Sequence, residues 1–171
     1  QKSNTFLVNN KLKRLLLKKF AKFLKKTGKF LLGAKRARHI LYDLMPENEL
    51  IICKTREDLY YVVNTSDKMI GKSIYKNLHS FDSQNLKAAL KLIEEDKSTI
   101  IDVGANVGTI GILGISRLHF KKCIAFEPDP RNFKLLQANV ILNGLNKKFD
   151  LRNEAISNIK DDTMIFELSE N

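Results

Sequence analysis

The segment IIDVGANVGT, residues 100–109, decides how this chain folds. An apolar run reaches Asp102 and Val103, and Gly104 follows directly, before a helical pattern begins. This order is typical of a strand that continues through a tight turn into a helix. Gly104 permits a sharp turn and close approach of a ligand, because it has no Cβ. The first N–H groups of the helix lack helical partners and can bind a carboxylate or phosphate.

Strands and helices alternate downstream of this segment. Four apolar runs are predicted strands: 99–103, 122–127, 149–156 and 163–168, the last of them returning antiparallel. Helical spacing predicts helices over 107–119 and 130–143, and Gly144 supplies a stop signal. The alternation indicates an α/β fold with a parallel, doubly wound sheet and right-handed crossovers.

A smaller unit is predicted upstream, over residues 46–97. Its predicted elements are strands at 50–52 and 59–63, which form a β-hairpin, and helices at 66–76 and 82–95. Ser66 is the predicted cap of the first helix, and Asp82 or Ser83 that of the second.

The positive charge of the chain is concentrated in an N-terminal arm. Residues 1–42 hold 13 Lys or Arg and no Asp or Glu, within a chain of 30 basic and 19 acidic residues and net charge +11. Over 11–26, apolar side chains share one helical face and lysines the other, which predicts a basic amphipathic helix. Residues 35–38, KRAR, add a second basic cluster.

Three interpretations of residues 11–38 stay open. The arm is a solvated extension, a helix on an anionic membrane surface or acidic partner, or a nucleic-acid contact made through phosphates. The apolar face over 12–24 favours membrane or partner packing over nucleic acid.

The glycine turn excludes some ligands. In the dinucleotide fingerprint GxGxxG, glycines stand where this chain has Asn106 and Thr109, which weakens close approach by a pyrophosphate. No Gly-Lys-Ser/Thr ends the turn, so a Walker-type phosphate loop is excluded. Glu127 ends the next predicted strand, at the carboxyl edge where open α/β sheets bind ligands. A carboxylate there can accept both hydroxyls of a ribose.

Three segments together carry a family resemblance: IDVGANVGTIGI, AFEPDPRNFKLLQANVILNGL and NEAIS. They resemble the FkbM family of S-adenosylmethionine-dependent methyltransferases, firmly over residues 98–157 and more loosely over 59–97. The resemblance implies a Rossmann-like sheet of the class I methyltransferase type and S-adenosyl-L-methionine as cofactor. It does not extend to the basic arm.

The resemblance also implies roles for individual residues. The residues expected to line the methionine part of the cofactor are Gly104, Ala105, Asn106 and Gly108. Asp102 is expected to help hold the amino group, and Glu127 to bind the ribose hydroxyls. Glu154 and Ala155, at the end of the third strand, are expected beside the adenine. Asp129 is expected to be a turn residue rather than a ligand.

The acceptor side of the implied fold is built from the fourth of seven strands onward. We therefore expect a sheet that is C-terminally incomplete in this sequence, and we assign no catalytic residue. The expected organisation is an arm over 1–45, a hairpin and helical lid over 46–97, and a cofactor-binding domain over 98–171.

The expected activity is methylation of a small-molecule or glycan hydroxyl. One alternative is an RNA methyltransferase, which the basic arm and the spacing of Asn139 and Asn143 suggest. Another is a fragment that binds the cofactor without catalysis. We expect a cytoplasmic protein that can associate peripherally with a membrane.

Other site classes lack support in the sequence. Cys53 and Cys123 are isolated and predict buried apolar side chains rather than a disulfide or zinc site. The three histidines have no metal-ligand spacing, so we expect no metal. No apolar run approaches the roughly 20 residues that span a bilayer.

Overall fold

The computed structural model describes residues 18, 19, 22, 23, 33–92 and 97–158. The predicted arm helix over 11–26 lies outside them, apart from Lys18, Lys19, Lys22 and Phe23, which are helical. The predicted strand over 163–168 also lies outside the described residues.

A β-hairpin flanked by helices forms the first half of the described chain. Its elements are α1 (Ala34–Asp43), β1 (Leu50–Lys54), β2 (Tyr60–Asn64), α2 (Ile70–Asn77) and α3 (Ser83–Ala89), which continues as a 3-10 turn over Leu90–Leu92. β1 and β2 pair antiparallel, with Leu50 opposite Asn64 and Lys54 opposite Tyr60. The predicted hairpin is confirmed.

The predicted cap of α2 is wrong, whereas the cap residue of α3 lies where it was predicted. The Ser66 hydroxyl accepts the Asn48 N–H at 2.9 Å and does not cap α2. Asp67 caps it instead. Its two carboxylate oxygens accept the N–H groups of Met69, Ile70 and Gly71 at 2.8, 3.0 and 2.7 Å, which are more donors than one hydroxyl reaches. Asp82 stands at the start of α3 in the left-handed region, at φ 56°, and its side chain makes no cap hydrogen bond.

The second half is a parallel sheet with crossover helices. Its elements are β3 (Thr99–Val103), α4 (Thr109–Arg117), β4 (Lys122–Phe126), α5 (Pro130–Leu142), a 3-10 turn (Asn146–Lys148) and β5 (Phe149–Arg152). The strand order is β3-β4-β5. Val103 lies beside Phe126, and Phe126 beside Arg152, so the three strands end at one edge. The predicted Rossmann-like α/β fold is confirmed.

The third parallel strand is shorter than predicted. β5 ends at Arg152, whose carbonyl accepts the Glu127 N–H at 3.0 Å. The next residue, Asn153, turns its side chain toward the segment after β4, and its Nδ2 donates to the carbonyls of Glu127 and Pro128 at 2.7 and 3.1 Å. These side-chain hydrogen bonds take the place of the next backbone pairing between β4 and β5, so β5 ends at Arg152.

One hydrophobic core joins the two halves. It runs from Tyr61 and Val63 of the hairpin through Ile112 and Leu136 of the crossover helices. Each large aliphatic side chain buried in this way stabilises the fold by about 1.5–3 kcal/mol. The core therefore belongs to the hairpin and the sheet in common.

Both cysteines are free and buried within this core, as the sequence predicts. Burial raises the pKa of the Cys53 thiol to about 12. Burial, with a smaller contribution from the charge of Asp102, raises that of Cys123 to about 12 as well. Both thiols stay protonated at neutral pH and act as small apolar side chains.

Asn139 and Asn143 attach α5 to the hairpin. The Asn139 Oδ1 accepts the Val62 N–H at 2.6 Å, and the Asn143 Oδ1 accepts the Tyr60 N–H at 2.9 Å. The amide groups donate back to the carbonyls of the same two residues, at 3.2 and 2.7 Å. The spacing that suggests an RNA enzyme in the sequence therefore has a structural role in the fold.

One face of β3 is exposed among the described residues. Strand side chains alternate between faces, so Ile100 is buried under the helices while Ile101 and Val103 are 67% and 60% exposed. β3 is also an edge strand of the described sheet. None of the described helices has the length and apolarity that crossing a bilayer requires.

Candidate functional site

The Gly104 turn is fastened to the end of the neighbouring strand. The N–H groups of Gly104 and Ala105 both donate to the Phe126 carbonyl at 2.9 Å. Gly104 has φ 78°, a conformation that side chains with a Cβ rarely adopt, and a Cβ there would meet no atom within 4 Å. The backbone of this turn is therefore open on the side where a ligand can lie against it.

Glu127 connects this turn to the start of α5. Its Oε2 accepts the Asn106 N–H at 2.7 Å, and its Oε1 accepts the Asp129 N–H at 2.8 Å. The residue is only 5% exposed. A carboxylate offers about four acceptor positions, so each oxygen keeps capacity for a further donor. The acid is held rigidly at the carboxyl edge, with room for two more hydrogen bonds.

Asp102 is the second acid of this edge. It is buried, and its Oδ2 accepts the Gly111 N–H at 3.2 Å. Burial raises the pKa of Asp102, the Gly111 hydrogen bond lowers it, and the charge of Glu127 raises it further. Two carboxylates beside an open turn disfavour a phosphate and favour a cation or hydroxyl donors.

Asn106 presents an acceptor without a partner. Its N–H is bound to Glu127, and it stands in the left-handed region at φ 49°. The buried Oδ1 has no hydrogen-bond partner among the described residues. Because a buried polar atom left unpaired costs about 1–3 kcal/mol, this oxygen is a candidate acceptor for a donor group of a ligand.

Gly108 shapes the start of α4. It precedes Thr109 with φ 87°, and a Cβ there would lie 2.6 Å from Leu136 Cδ1 and 3.2 Å from Ile112 Cδ1. Its role is close packing of the helix start against α5. Gly104 and Gly108 therefore serve different purposes, although the sequence assigns both to one ligand.

Asp129 caps α5. Its Oδ1 accepts the Arg131 N–H at 2.8 Å, and its Oδ2 lies 2.9 Å from Arg131 Nη2. The hydrogen bond with Arg131 holds the pKa of Asp129 below its ordinary range, against the opposing effect of burial. Asp129 is a helix cap, which was not predicted, although an Asp directly before Pro130 is a recognisable start signal.

A cavity of about 760 Å³ lies beside Asn106. The start of α2 lines it through Asp67 and Ile70, and the first turns of α5 line it through Arg131. This places part of the predicted lid next to the crevice. Tyr75 instead packs its ring 5.5 Å from that of Tyr42.

Six predicted site residues come together at this edge: Asp102, Gly104, Ala105, Asn106, Gly108 and Glu127. Glu154 and Ala155 lie just beyond the end of β5 at Arg152 and are exposed, and their place beside the adenine stays a prediction. The described residues contain no cluster of three or more metal-ligating side chains.

Among the solved structures similar to this chain, one is a methyltransferase by its name. No protein-family model and no curated protein matches the chain, so the FkbM assignment stays a resemblance. Trm5 of Methanocaldococcus jannaschii, in complex with adenosine, is 20% identical with TM-score 0.44, over 63% of this chain and 30% of that chain. The tRNA m1G37 methyltransferase of M. jannaschii is 18% identical with TM-score 0.46, over 71% and 39%.

TYW2 of Pyrococcus horikoshii, in complex with MeSAdo, is 14% identical with TM-score 0.47, over 76% of this chain and 50% of that chain. The chain thus spans 30% to 50% of the length of these solved structures. At such identities and TM-scores, none of the three similarities establishes a shared activity or substrate.

Proposed function

We propose that the crevice between the Gly104 turn and Glu127 binds S-adenosyl-L-methionine, and that the chain is the cofactor-binding portion of a methyltransferase. The observation that supports this most is Glu127, a buried carboxylate fixed by the N–H groups of Asn106 and Asp129. It lies at the carboxyl edge of a parallel sheet, where such folds bind ligands.

The residues of the crevice fit this cofactor. Glu127 retains acceptor positions for the ribose hydroxyls, and the orphaned Oδ1 of Asn106 would accept from the amino group, which Asp102 would also help to hold. The open side of Gly104 admits the ligand against the backbone. Glu154 and Ala155 follow the same sheet edge and are the proposed neighbours of the adenine.

The charge of the crevice discriminates between cofactors. Asp102 and Glu127 would stabilise the positive sulfonium and ammonium groups and would repel the pyrophosphate of a dinucleotide. When bound, the cofactor supplies an electrophilic methyl group. The protein's part is to hold the cofactor and the acceptor in line, which alone can remove a large part of the barrier.

Two acceptor classes are proposed. The FkbM resemblance supports a small-molecule or glycan hydroxyl. RNA is favoured by a different observation: cationic side chains of the folded part, Lys35, Arg38 and Arg56, line one groove. Transfer of a radiolabelled methyl group to a glycan pool and to an RNA pool separates the two.

Calorimetry on the full chain tests the cofactor. We expect S-adenosylmethionine and S-adenosylhomocysteine to bind and NAD not to bind. Glu127→Ala should weaken binding about 100-fold, because it removes two charge-assisted hydrogen bonds. Glu47→Ala is the matched control, since Glu47 is an exposed carboxylate outside the crevice.

Glu127→Ala also frees two backbone N–H groups, so a second variant is needed. Gly104→Ala leaves those hydrogen bonds in place and inserts a methyl group into the ligand space. Unchanged affinity in both variants, with an intact urea transition, would overturn the assignment.

A further inference from the structure

The basic segment KRAR, residues 35–38, belongs to a folded surface. It forms the first turns of α1, where Ala37 is buried. Arg38 Nε donates to the Lys76 carbonyl at the end of α2 at 2.8 Å. The charges of this segment are therefore fixed relative to the hairpin, unlike those of a solvated extension.

These charges line a groove of about 510 Å³ between α1, the hairpin turn and the start of α3. Lys35, Arg38 and Arg56 supply positive charge, and Asp82 is the acidic residue of the lining. His79 also lines it, with its Nδ1 2.6 Å from the Glu57 carboxylate. Three permanent cations against one acid favour an anionic occupant.

The rest of the lining is polar except for one aromatic residue. Hydroxyl and amide side chains line the floor and walls: Ser73, Asn77, Ser80, Ser83, Gln84 and Asn85. Phe81, half-buried, is the apolar member of the lining. Asn77 Oδ1 is buried and has no partner among the described residues. A membrane-binding surface needs a broad apolar face, which this groove lacks.

Cations, amides and an aromatic ring in one groove are what a single-stranded nucleic acid requires. The cations neutralise phosphates, the amides reach sugar and base edges, and the ring offers a stacking surface. A second depression, lined by Lys35, Arg36, His39 and Lys76, continues the positive surface along α1.

The groove adjoins the cavity beside Asn106. Phe81 lines both this groove and the cavity beside Asn106. We propose that the groove binds the phosphodiester backbone of single-stranded RNA and directs one nucleotide past Phe81 toward the crevice. This inference rests on the proposed function, since it supplies the acceptor for the same site.

Fluorescence anisotropy tests the groove. It measures the binding of a short single-stranded oligoribonucleotide to the full chain over a series of salt concentrations. The test variant is Lys35→Ala with Arg56→Ala. Both side chains are exposed, and Arg56 contributes to the fold through its backbone N–H, which donates to the Leu78 carbonyl. Lys147→Ala with Lys148→Ala removes the same charge from an exposed turn elsewhere.

We expect the groove variant to bind RNA about tenfold more weakly for each lost contact. The slope of log K against log salt should fall in magnitude by about 0.7 per contact. The control variant should change the affinity for RNA and the salt slope much less. Equal effects of the two variants would overturn the proposal. So would loss of binding to phosphatidylserine vesicles with unchanged RNA binding.

Calorimetry with S-adenosylmethionine on the same proteins separates the two proposals. Cofactor binding that persists in the groove variant, together with weakened RNA binding, supports the groove. Absence of cofactor binding in the unsubstituted chain would overturn the proposed function whatever the RNA result. Intact cofactor binding with unaltered RNA binding would overturn the groove alone.

Discussion

The side chain of Asn139 makes hydrogen bonds to both backbone groups of Val62, as a neighbouring strand would. Its Oδ1 lies 2.6 Å from the Val62 nitrogen and its Nδ2 3.2 Å from the Val62 oxygen. Asn143 repeats the pattern with Tyr60. Four residues of helix rise about 6 Å, and two residues of strand about 6.7 Å. α5 can therefore satisfy the free edge of β2 with two amides one turn apart.

Replacing Asn139 should weaken the attachment of β2 to α5. Asn139→Ala leaves Val62 N–H, Val62 C=O and Val107 C=O without their partner in a fully buried place. We expect a loss of about 3 kcal/mol in the free energy of unfolding. Urea titration measures it, and hydrogen exchange should show the Val62 amide losing protection. Gln137→Ala, on the exposed side of the same helix, should stay within about 0.5 kcal/mol; equal losses would contradict the role of Asn139.

The two glycines of the turn should respond differently to alanine. Both have positive φ, which costs a residue with a Cβ about 1–2 kcal/mol. At Gly108 the new methyl group also meets Leu136 at 2.6 Å, which adds about 1–3 kcal/mol of overpacking. Gly104→Ala should therefore unfold at higher urea than Gly108→Ala but lose more cofactor affinity. The reverse order in either measurement would show that the roles are misassigned.

The buried acid Asp102 should make stability fall as pH rises. Burial raises its folded pKa above the ordinary 3.8, so the folded chain holds the proton more tightly than the unfolded chain. The free energy of unfolding then decreases as pH rises from the ordinary pKa to the raised one. Asp102→Asn removes this penalty and should gain stability relative to the unsubstituted chain across that interval.

Asp129 provides the opposite case for comparison. Its pKa is lowered, chiefly by Arg131, so its contribution is present above the ordinary pKa and is lost as pH falls through the lowered value. Asp129→Asn should be less stable than the unsubstituted chain at neutral pH, and the two should converge in acid. Urea titrations at a series of pH values measure both variants. Stability changes of the same sign in Asp102→Asn and Asp129→Asn, each relative to the unsubstituted chain, would contradict the assignment.

The exposed face of β3 should tolerate polar substitution. Ile101→Thr changes a side chain that is 67% exposed, so the stability change should stay within about 0.5 kcal/mol. An apolar edge strand promotes association, so light scattering should decrease. Ile100→Thr, one residue away and buried, should cost about 2–3 kcal/mol. Equal losses would mean that residues outside the described part cover Ile101.

Local patterns predicted most of the fold. The apolar run at 99–103, the glycine turn after it and the alternation downstream gave the parallel sheet, because strand and helix periods differ clearly. The hairpin followed from its β-branched and aromatic residues. α1 was not predicted, since its first turns are strongly basic and its buried contacts, Ala37 and Tyr42, become visible only when α2 packs against them.

The candidate site was predictable where it depends on residues near a strand end. Asp102 and Glu127 each follow an apolar run, so their common edge could be inferred from topology. The length of β5 was overestimated because Asn153 ends the strand early through side-chain bonds to a segment distant in sequence. The structural role of Asn139 and Asn143 could not be predicted for the same reason, since their partners in β2 lie 77 and 83 residues away.

Asn139 also determines how this crevice could be transplanted. The same Nδ2 that meets the hairpin donates to the carbonyl of Val107, three residues after Gly104, at 2.9 Å. Excising the chain at its first parallel strand would leave that amide without most of its partners and strip the shared core from α5. Anyone grafting the crevice onto another scaffold would have to carry the hairpin along, so the smallest portable module includes residues well upstream of the glycine turn.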